Sequence, residues 1–217
     1  MTDTQALISQ LTSRAQPVRR LASPLRRALL WAALASVVIA LVTASYGLQA
    51  GFLSSAPKAI EWIGSVLTAL LAAYAVFQIS VPGRSPSWAW LPVPPMLLWL
   101  GGLGWGCASE FFQVGNAALV FQAASWECAR AITLISVPLG LILLLMVRHA
   151  GVVRPAPTAM LAALSAAAMA AAGVSLFHAG ESALMVLVWH LGAVALLSLL
   201  CGLFGRHLFA WIGHARR

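Results

Sequence analysis

Two cysteines, Cys107 and Cys128, are the residues in this sequence best suited to chemistry. Cys107 stands in the stretch GLGWGCASEFF and Cys128 in ASWECARAI, and the acids Glu110 and Glu127 lie close to them in sequence. Thiols of this kind form disulfides in oxidising compartments, stay as free pairs, or bind soft metal ions. The alternative is that both are small core residues, which is how cysteine often behaves in apolar helices. The residues alone leave these alternatives open.

A second polar group lies in LFHAGESALMVLVWH, which contains His178, Glu181, Met185 and His190. On a regular helix the first three share a face, because their spacing is i, i+3 and i+7. His190 would then lie about 18 Å further along the axis than His178, so one metal ion could not bind both unless the helix is irregular. His178 could equally be a solvated loop residue. His190 lies inside an apolar run, where burying a histidine costs free energy. It therefore suggests a functional or hydrogen-bonded site.

The motifs of several enzyme classes are absent from the sequence. It contains no phosphate-binding glycine loop, no G-x-S-x-G, no H-E-x-x-H and no C-x-x-C. Each of these motifs places a specific catalytic or ligating group, so their absence argues against the corresponding chemistry. We therefore expect a protein that is not an enzyme.

The amino-acid composition of the chain indicates the class of protein to which these residues belong. The chain has 217 residues, of which 61% are hydrophobic and 8% charged, and its mean hydropathy is +0.91. Soluble domains carry roughly 25% charged residues, so this chain predicts an integral membrane protein. The formal charge of +8 does not indicate direct nucleic-acid binding, because the basic residues lie between apolar runs.

Six apolar segments approach the roughly 20 residues that a membrane-spanning helix needs. They are residues 28–48, 60–80, 90–108, 128–148, 158–177 and 184–205. None shows the alternation of barrel strands, so we predict an all-α bundle of six transmembrane helices. The fifth segment is rich in alanine, and its small residues suit close helix packing inside the bundle.

The distribution of basic residues predicts the orientation of these helices. With the N-terminus inside, 11 of the 13 Lys and Arg residues fall on the cytoplasmic side and only Lys58 and Arg130 fall outside. The cytoplasmic residues are Arg14, Arg19, Arg20, Arg26, Arg27, Arg84, Arg148, Arg154, Arg206, Arg216 and Arg217. We therefore expect both termini in the cytoplasm. The apolar run after Arg27 exceeds that of a cleavable signal peptide, so the first helix should be retained.

This orientation places both cysteines near the outer side. Cys107 should end the third helix and Cys128 should begin the fourth, with the 20 residues 108–127 forming a loop between them. Neighbouring antiparallel helices would bring the two thiols to a similar depth.

The segment before the first span has features of its own. In residues 4–14, TQALISQLTSR, the apolar residues Leu7, Ile8 and Leu11 predict one stripe of a short amphipathic helix, which Pro17 should end. Such a stripe could lie on the bilayer or in the groove of a partner protein. The stretch PVRRLASP that follows is basic and should be stiff and extended.

Four stretches together resemble one family. They are PVRRLASPLRRALLW, VPGRSPSWAWLPVPPMLLWLGGLGWGC, SVPLGLILLLMVRHA and FHAGESALMVLVWHLGAVAL. They resemble bacterial membrane anti-sigma factors called negative regulator of sigma F, over nearly the whole chain. The resemblance implies a six-span inner-membrane protein that holds an extracytoplasmic-function sigma factor and releases it under metal or oxidative stress.

The resemblance also implies roles for particular residues. The sigma-binding motif would contain Pro17, Arg19, Arg20, Leu21 and Pro24, and the stripe of Leu7, Ile8 and Leu11 would dock beside it. Cys107 and Cys128 would be the sensing residues, with Glu110, Glu127, His178, Glu181, Met185 and His190 as candidates for additional ligands. No resident cofactor would be needed, although a soft metal ion such as copper or cadmium could act transiently as the signal.

The resemblance divides the chain into three parts: a sigma-binding segment (1–27), the transmembrane bundle (28–205) and a short basic tail (206–217). Two other classes remain as alternatives. One is a membrane redox protein that uses the two thiols or a haem on His190, and the other is a small transporter. The missing C-x-x-C, the lack of a second histidine at matching depth and the scarcity of ionisable residues within the spans count against them.

Overall fold

The computed structural model of the chain describes residues 2–13, 21–51, 53–119, 126–177 and 182–212. These ranges contain helices and connecting turns but no β-strand, which confirms the all-α prediction. Nine α-helices are described within them: α1 (Thr2–Ser13), α2 (Pro24–Tyr46), α3 (Ala56–Ile79), α4 (Val93–Val114), α5 (Trp126–Val147), α6 (Pro155–Val174), α7 (Ala183–Val186), α8 (Gly192–Leu203) and α9 (Gly205–Trp211). Short 3₁₀ turns lie at Pro86–Trp90 and Gly115–Leu119.

Prolines begin several of these helices, because a first-turn residue needs no backbone N–H partner. Pro24 opens α2 behind Ser23, whose hydroxyl accepts a hydrogen bond from the Arg26 backbone N–H at 3.4 Å. Gly47 ends the same helix with a φ of 88°, a conformation that glycine adopts without strain. The starts expected from hydrophobicity, at residues 28, 60 and 158, fall inside α2, α3 and α6, because the apolar run begins only after the proline-containing first turn.

Five helices of the described chain are long and apolar enough to cross a membrane: α2, α3, α5, α6 and the combined helix Ala183–Leu203. They indicate a multi-pass membrane protein. The 22-residue helix α4 has a similar length but is not among these five helices. It also runs on to Val114, so the prediction that Cys107 ends this helix was wrong. The connection to α5 is accordingly shorter, spanning residues 115–125.

Helix α6 forms the centre of the bundle, as its alanine content predicted. Of its apolar window 78% is buried, against 22% for α2. The Ser165 hydroxyl donates a hydrogen bond to the Ala69 carbonyl of α3 at 2.7 Å, and the Trp62 indole of α3 donates to the Ala172 carbonyl at 3.2 Å. Small side chains let α3 approach closely enough for these contacts.

Helices α3 and α4 pack together through glycines. A Cβ atom on Gly64 would lie 2.6 Å from the Trp99 backbone nitrogen, and one on Gly102 would lie 2.7 Å from the Glu61 backbone nitrogen. Real Cβ atoms do not approach so closely, so glycine is required at both positions. We call this contact the glycine seam of α3 and α4.

The last predicted span, 184–205, is not one regular helix. A π-helical turn at Leu187–Leu191 joins α7 to α8, and Phe204 interrupts the chain before α9. Gly205 lies against the backbone of Pro155 and Ala156 at the start of α6, where a Cβ would lie 2.8 Å from the nearest backbone atom. The sequence pattern did not predict the π-helical turn, whereas Phe204 lies next to the expected end of the span at residue 205.

Candidate functional site

The N-terminal helix presents an uncovered apolar stripe. Leu7, Ile8 and Leu11 are 53%, 56% and 62% exposed on α1, as the sequence predicted for one face of an amphipathic helix. Leu21, which follows at the start of the next described range, is 46% exposed. An apolar stripe of this kind can bind a lipid surface or the groove of another protein.

The rest of the predicted sigma-binding motif has a mixed placement. Pro17, Arg19 and Arg20 lie outside the described residues. Pro24 lies in the first turn of α2 and therefore has a structural role in starting that helix.

The two arginines before the first span differ sharply in their surroundings. Arg26 is exposed, whereas only 7% of Arg27 is exposed. The Arg27 guanidinium donates a hydrogen bond to the Met146 carbonyl and stacks over the Phe77 ring, 4.5 Å from its centroid. Met146 is in the last turn of α5, where carbonyls lack helical partners and a cation is favourable. Arg27 therefore holds α2, α3 and α5 together at one end of the bundle.

Cys107 is half-buried at the opposite end of the bundle, and the residue before it, Gly106, lines a polar cavity between α3, α4 and α7. The cavity measures about 270 Å³. Its polar lining consists of Ser55, Lys58, Glu61, Ser109, Glu110 and Gln113. Glu61 on α3 and Glu110 on α4 are the two carboxylates that line this cavity. Residue type and spacing indicate a role for Glu110 but not for Glu61.

Glu110 links α4 to the last span. Its carboxylate accepts a hydrogen bond from the Ala183 backbone N–H at 2.6 Å. That N–H belongs to the first turn of α7, where backbone donors lack helical partners and an anion is stabilised. Glu110 therefore binds the start of α7. It lies one helical turn after Cys107 on α4.

Cys128 has different neighbours. It is buried at the start of α5, with only 1% of its surface exposed. Glu127 forms an ion pair with Arg130 at 2.5 Å, and the Arg130 guanidinium stacks on Trp126 at 5.2 Å. Glu127 is therefore already engaged by a cation on its own helix.

The two thiols lie at the same end of the bundle but on helices with different main neighbours. Helix α4 packs chiefly on α3, and α5 packs chiefly on α6. None of the three cysteines, all in described helices, is part of a disulfide. In the described ranges no group of three or more His, Cys, Asp or Glu side chains is arranged to hold a metal ion.

The second polar group is only partly described. His178 and Glu181 lie outside the described residues, so their predicted positions are not placed. Met185 and His190 are both buried, with 1% and 3% of their surfaces exposed. His190 lies in the π-helical turn, and such turns often occur at functional sites. The regular-helix geometry assumed for His190 therefore does not hold.

Comparison with known proteins identifies the family of this chain. The family model described as "Negative regulator of sigma F" matches residues 11–211. The chain belongs to this family. The match confirms the resemblance read from the four sequence stretches, and the family name implies negative regulation with a sigma factor as the partner. No curated protein and no solved structure gives a significant match.

Sequence reasoning missed Arg27 and Trp31 as structural contacts, although a signal was present. The buried residues of α2 are Arg27, Trp31, Ala35 and Ile39, which recur every four positions. That spacing marks one face of a helix. Arg27 was read as a topology charge because arginine beside a membrane ordinarily serves that purpose.

Proposed function

We propose that the chain is an anti-sigma factor that holds an extracytoplasmic-function sigma factor at the bacterial inner membrane. Its N-terminal segment binds the sigma factor and covers a surface that RNA polymerase needs. Metal or oxidative stress acts at Cys107 and Cys128, and the segment then releases the sigma factor. No catalytic step and no resident cofactor belong to this function.

The proposed architecture has six spans, with α4 as the third, and both termini in the cytoplasm. The close packing of α4 along α3 through the glycine seam supports its membrane insertion, because a helix packed this tightly shares its partner's environment. Charge supports the orientation, since Lys58 and Arg130 are the only basic residues that it leaves outside. Reporter fusions to each chain end test this topology, and an external location of either end would contradict it.

The observation that carries the proposal is the exposed stripe of Leu7, Ile8 and Leu11 in a family named for sigma-factor regulation. Outside α1, the described chain consists of the bundle helices and short connections, which offer little surface for binding a partner. A helix with an apolar face typically binds in a hydrophobic groove of its partner. The bundle then serves to anchor this helix at the membrane.

Release requires that the signal favours one state of the protein over the other. Moving the segment from 99% bound to 99% free needs about 5.5 kcal/mol of differential binding. Thiolate bonds to a soft ion such as copper or cadmium, or thiol oxidation, could supply this energy. Cys107 and Cys128 lie on helices that pack chiefly on different neighbours, so a signal that brings both thiols onto one ion would rearrange α4 and α5. A rearrangement of this kind would separate a sigma-binding state of the bundle from a releasing state.

Deletion of residues 1–22 tests the binding segment and leaves the Ser23 cap and Pro24 intact. The truncated chain should insert into the membrane normally but lose capture of the sigma factor from its native host in detergent. Retained capture would refute the assignment of the segment.

Replacement of Cys107 and Cys128 by serine tests the sensor. Transcription of sigma-dependent genes should stay repressed under copper, cadmium or oxidant, while Cys201→Ser, the third thiol in the chain, should respond as the natural protein does. An unchanged response of the double variant would remove both thiols from the mechanism.

A further inference from the structure

Two side chains of α2 tie this helix to the backbone of α5. The Arg27 guanidinium donates to the Met146 carbonyl, and the Trp31 indole N–H donates to the Leu139 carbonyl at 3.3 Å. Arg27 and Trp31 are one turn apart, and both are buried. We call this pair of contacts the α2–α5 clamp.

The burial of Arg27 needs a reason beyond membrane topology. An exposed arginine is sufficient for the positive-inside effect, and Arg26 next to it is exposed. Removing a guanidinium from water costs free energy unless its donors find partners. Arg27 gains a helix-terminal carbonyl and an aromatic ring, but its Nη1 atom has no hydrogen-bond partner among the described residues. Such a partly compensated buried charge is more characteristic of a functional position than of a stability element.

The clamp lies between the two regions that the proposed function must connect. On α2 it begins at Arg27, three residues after Pro24, which is the last residue of the sigma-binding motif. On α5 it holds the part of the helix that follows Pro138, whereas Cys128 lies in the part that precedes it. Proline removes one helical hydrogen bond, so a helix bends more easily there. A change in the first half of α5 can therefore alter the bend at Pro138, and with it the position of the second half, which the clamp holds against α2.

We infer that Arg27 and Trp31 are positioning residues that couple the Cys128 end of α5 to the sigma-binding segment. This inference rests on the proposed function and names its path of regulation. A change at Cys128 displaces the second half of α5, the clamp transmits the displacement to the start of α2, and the segment loses its binding geometry. Coupling between sites is reciprocal, so sigma-factor binding must in turn alter the environment of Cys128.

The test uses this reciprocity in the purified full-length chain. The rate at which N-ethylmaleimide labels Cys128 is measured by peptide-resolved mass spectrometry, with and without the sigma factor. The variants are Arg27→Gln and Trp31→Phe. Arg26→Gln is the control for Arg27→Gln, because it removes a neighbouring positive charge. Trp62→Phe is the control for Trp31→Phe, because it removes an indole N–H that donates to a carbonyl in a different contact, between α3 and α6.

In the natural chain and in both controls, the sigma factor should change the labelling rate at least about fivefold, the lower end of typical coupling. In Arg27→Gln and Trp31→Phe the ratio should fall to about one. An undiminished ratio in both variants overturns the inference, as does a natural chain whose labelling does not respond to the sigma factor. If Arg27→Gln does not accumulate in the membrane, Trp31→Phe against Trp62→Phe decides.

The deletion of residues 1–22, measured in parallel, separates this inference from the proposed function. Lost capture on deletion, together with undiminished coupling in the clamp variants, refutes the clamp alone. Retained capture on deletion refutes the binding segment, and the inference fails with it.

Discussion

Helices α6 and α1 use their apolar residues in opposite ways. The small side chains of α6 are covered by neighbouring helices, and 78% of its apolar window is buried. Leu7, Ile8 and Leu11 of α1 are each more than half exposed. Neighbouring helices cover the apolar surface of α6, whereas nothing in the described chain covers the stripe on α1. Substitutions in the bundle should therefore change stability, and substitutions on α1 should change binding.

The largest effect on the bundle is expected at the glycine seam of α3 and α4. In Gly102→Val the new side chain would meet the Glu61 backbone, because even a Cβ would lie 2.7 Å from its nitrogen. We expect a loss of about 3 kcal/mol in the free energy of unfolding, the upper range of typical overpacking effects. Equilibrium unfolding in mixed detergent measures it.

Gly101→Val is the matched control for this prediction. A Cβ on this neighbouring glycine would meet nothing within 4 Å beyond its own helix backbone and its chain neighbours, so the added side chain enters open space. Its free energy of unfolding should be close to that of the natural chain. Equal losses in both variants would show that helix propensity, and not the close packing of α4 on α3, determines the effect.

A smaller effect is expected at the contact between α4 and α7. Glu110→Gln keeps an acceptor oxygen for the Ala183 N–H but removes the charge, and charge-assisted hydrogen bonds are stronger than neutral ones. We expect a loss of about 1 kcal/mol in the free energy of unfolding. Glu127→Gln, which breaks an ion pair within one helix, should cost at most about 0.5 kcal/mol. The reverse order of the two losses would contradict this account of Glu110.

An effect smaller than that of Glu110→Gln is expected inside the bundle, from Ser165→Ala. The substitution removes a buried hydrogen bond to the Ala69 carbonyl while leaving the small side chain that allows close packing. Interhelical hydrogen bonds in membrane proteins average about 0.6 kcal/mol, so the same unfolding measurement should detect a loss of that size. A loss several times larger would mean that this hydroxyl holds α3 and α6 together more strongly than packing does.

The sequence predicted the large features of the fold because they follow from hydrophobicity, residue size and spacing patterns that extend over several residues. The all-α class, the central position of the alanine-rich helix and the stripe on α1 were all predicted in this way. The end of α4 was not, because Glu110 and Gln113 look like loop residues after an apolar run. In the structure Glu110 instead meets the Ala183 N–H of another helix, a contact that no local pattern encodes.

The candidate sites were predicted less completely than the fold. Residue type singled out Cys107, Cys128 and His190, but it could not reveal that the cysteines lie on helices with different main neighbours, or that His190 lies in a π-helical turn. The role of Arg27 depends on the end of α5, which is more than a hundred residues away in sequence. Contacts of this kind arise from packing and are not visible in local spacing.

The central claim, that the stripe on α1 binds the sigma factor, is tested most directly by the dissociation constant of the full-length chain in lipid nanodiscs. The double variant with Leu7→Ala and Leu11→Ala keeps good helix formers, and truncating two contact residues should weaken binding about a hundredfold. Gln5→Ala with Ser9→Ala, on the other side of α1, should leave the constant within about twofold. Unchanged affinity in the leucine variant would contradict the claim.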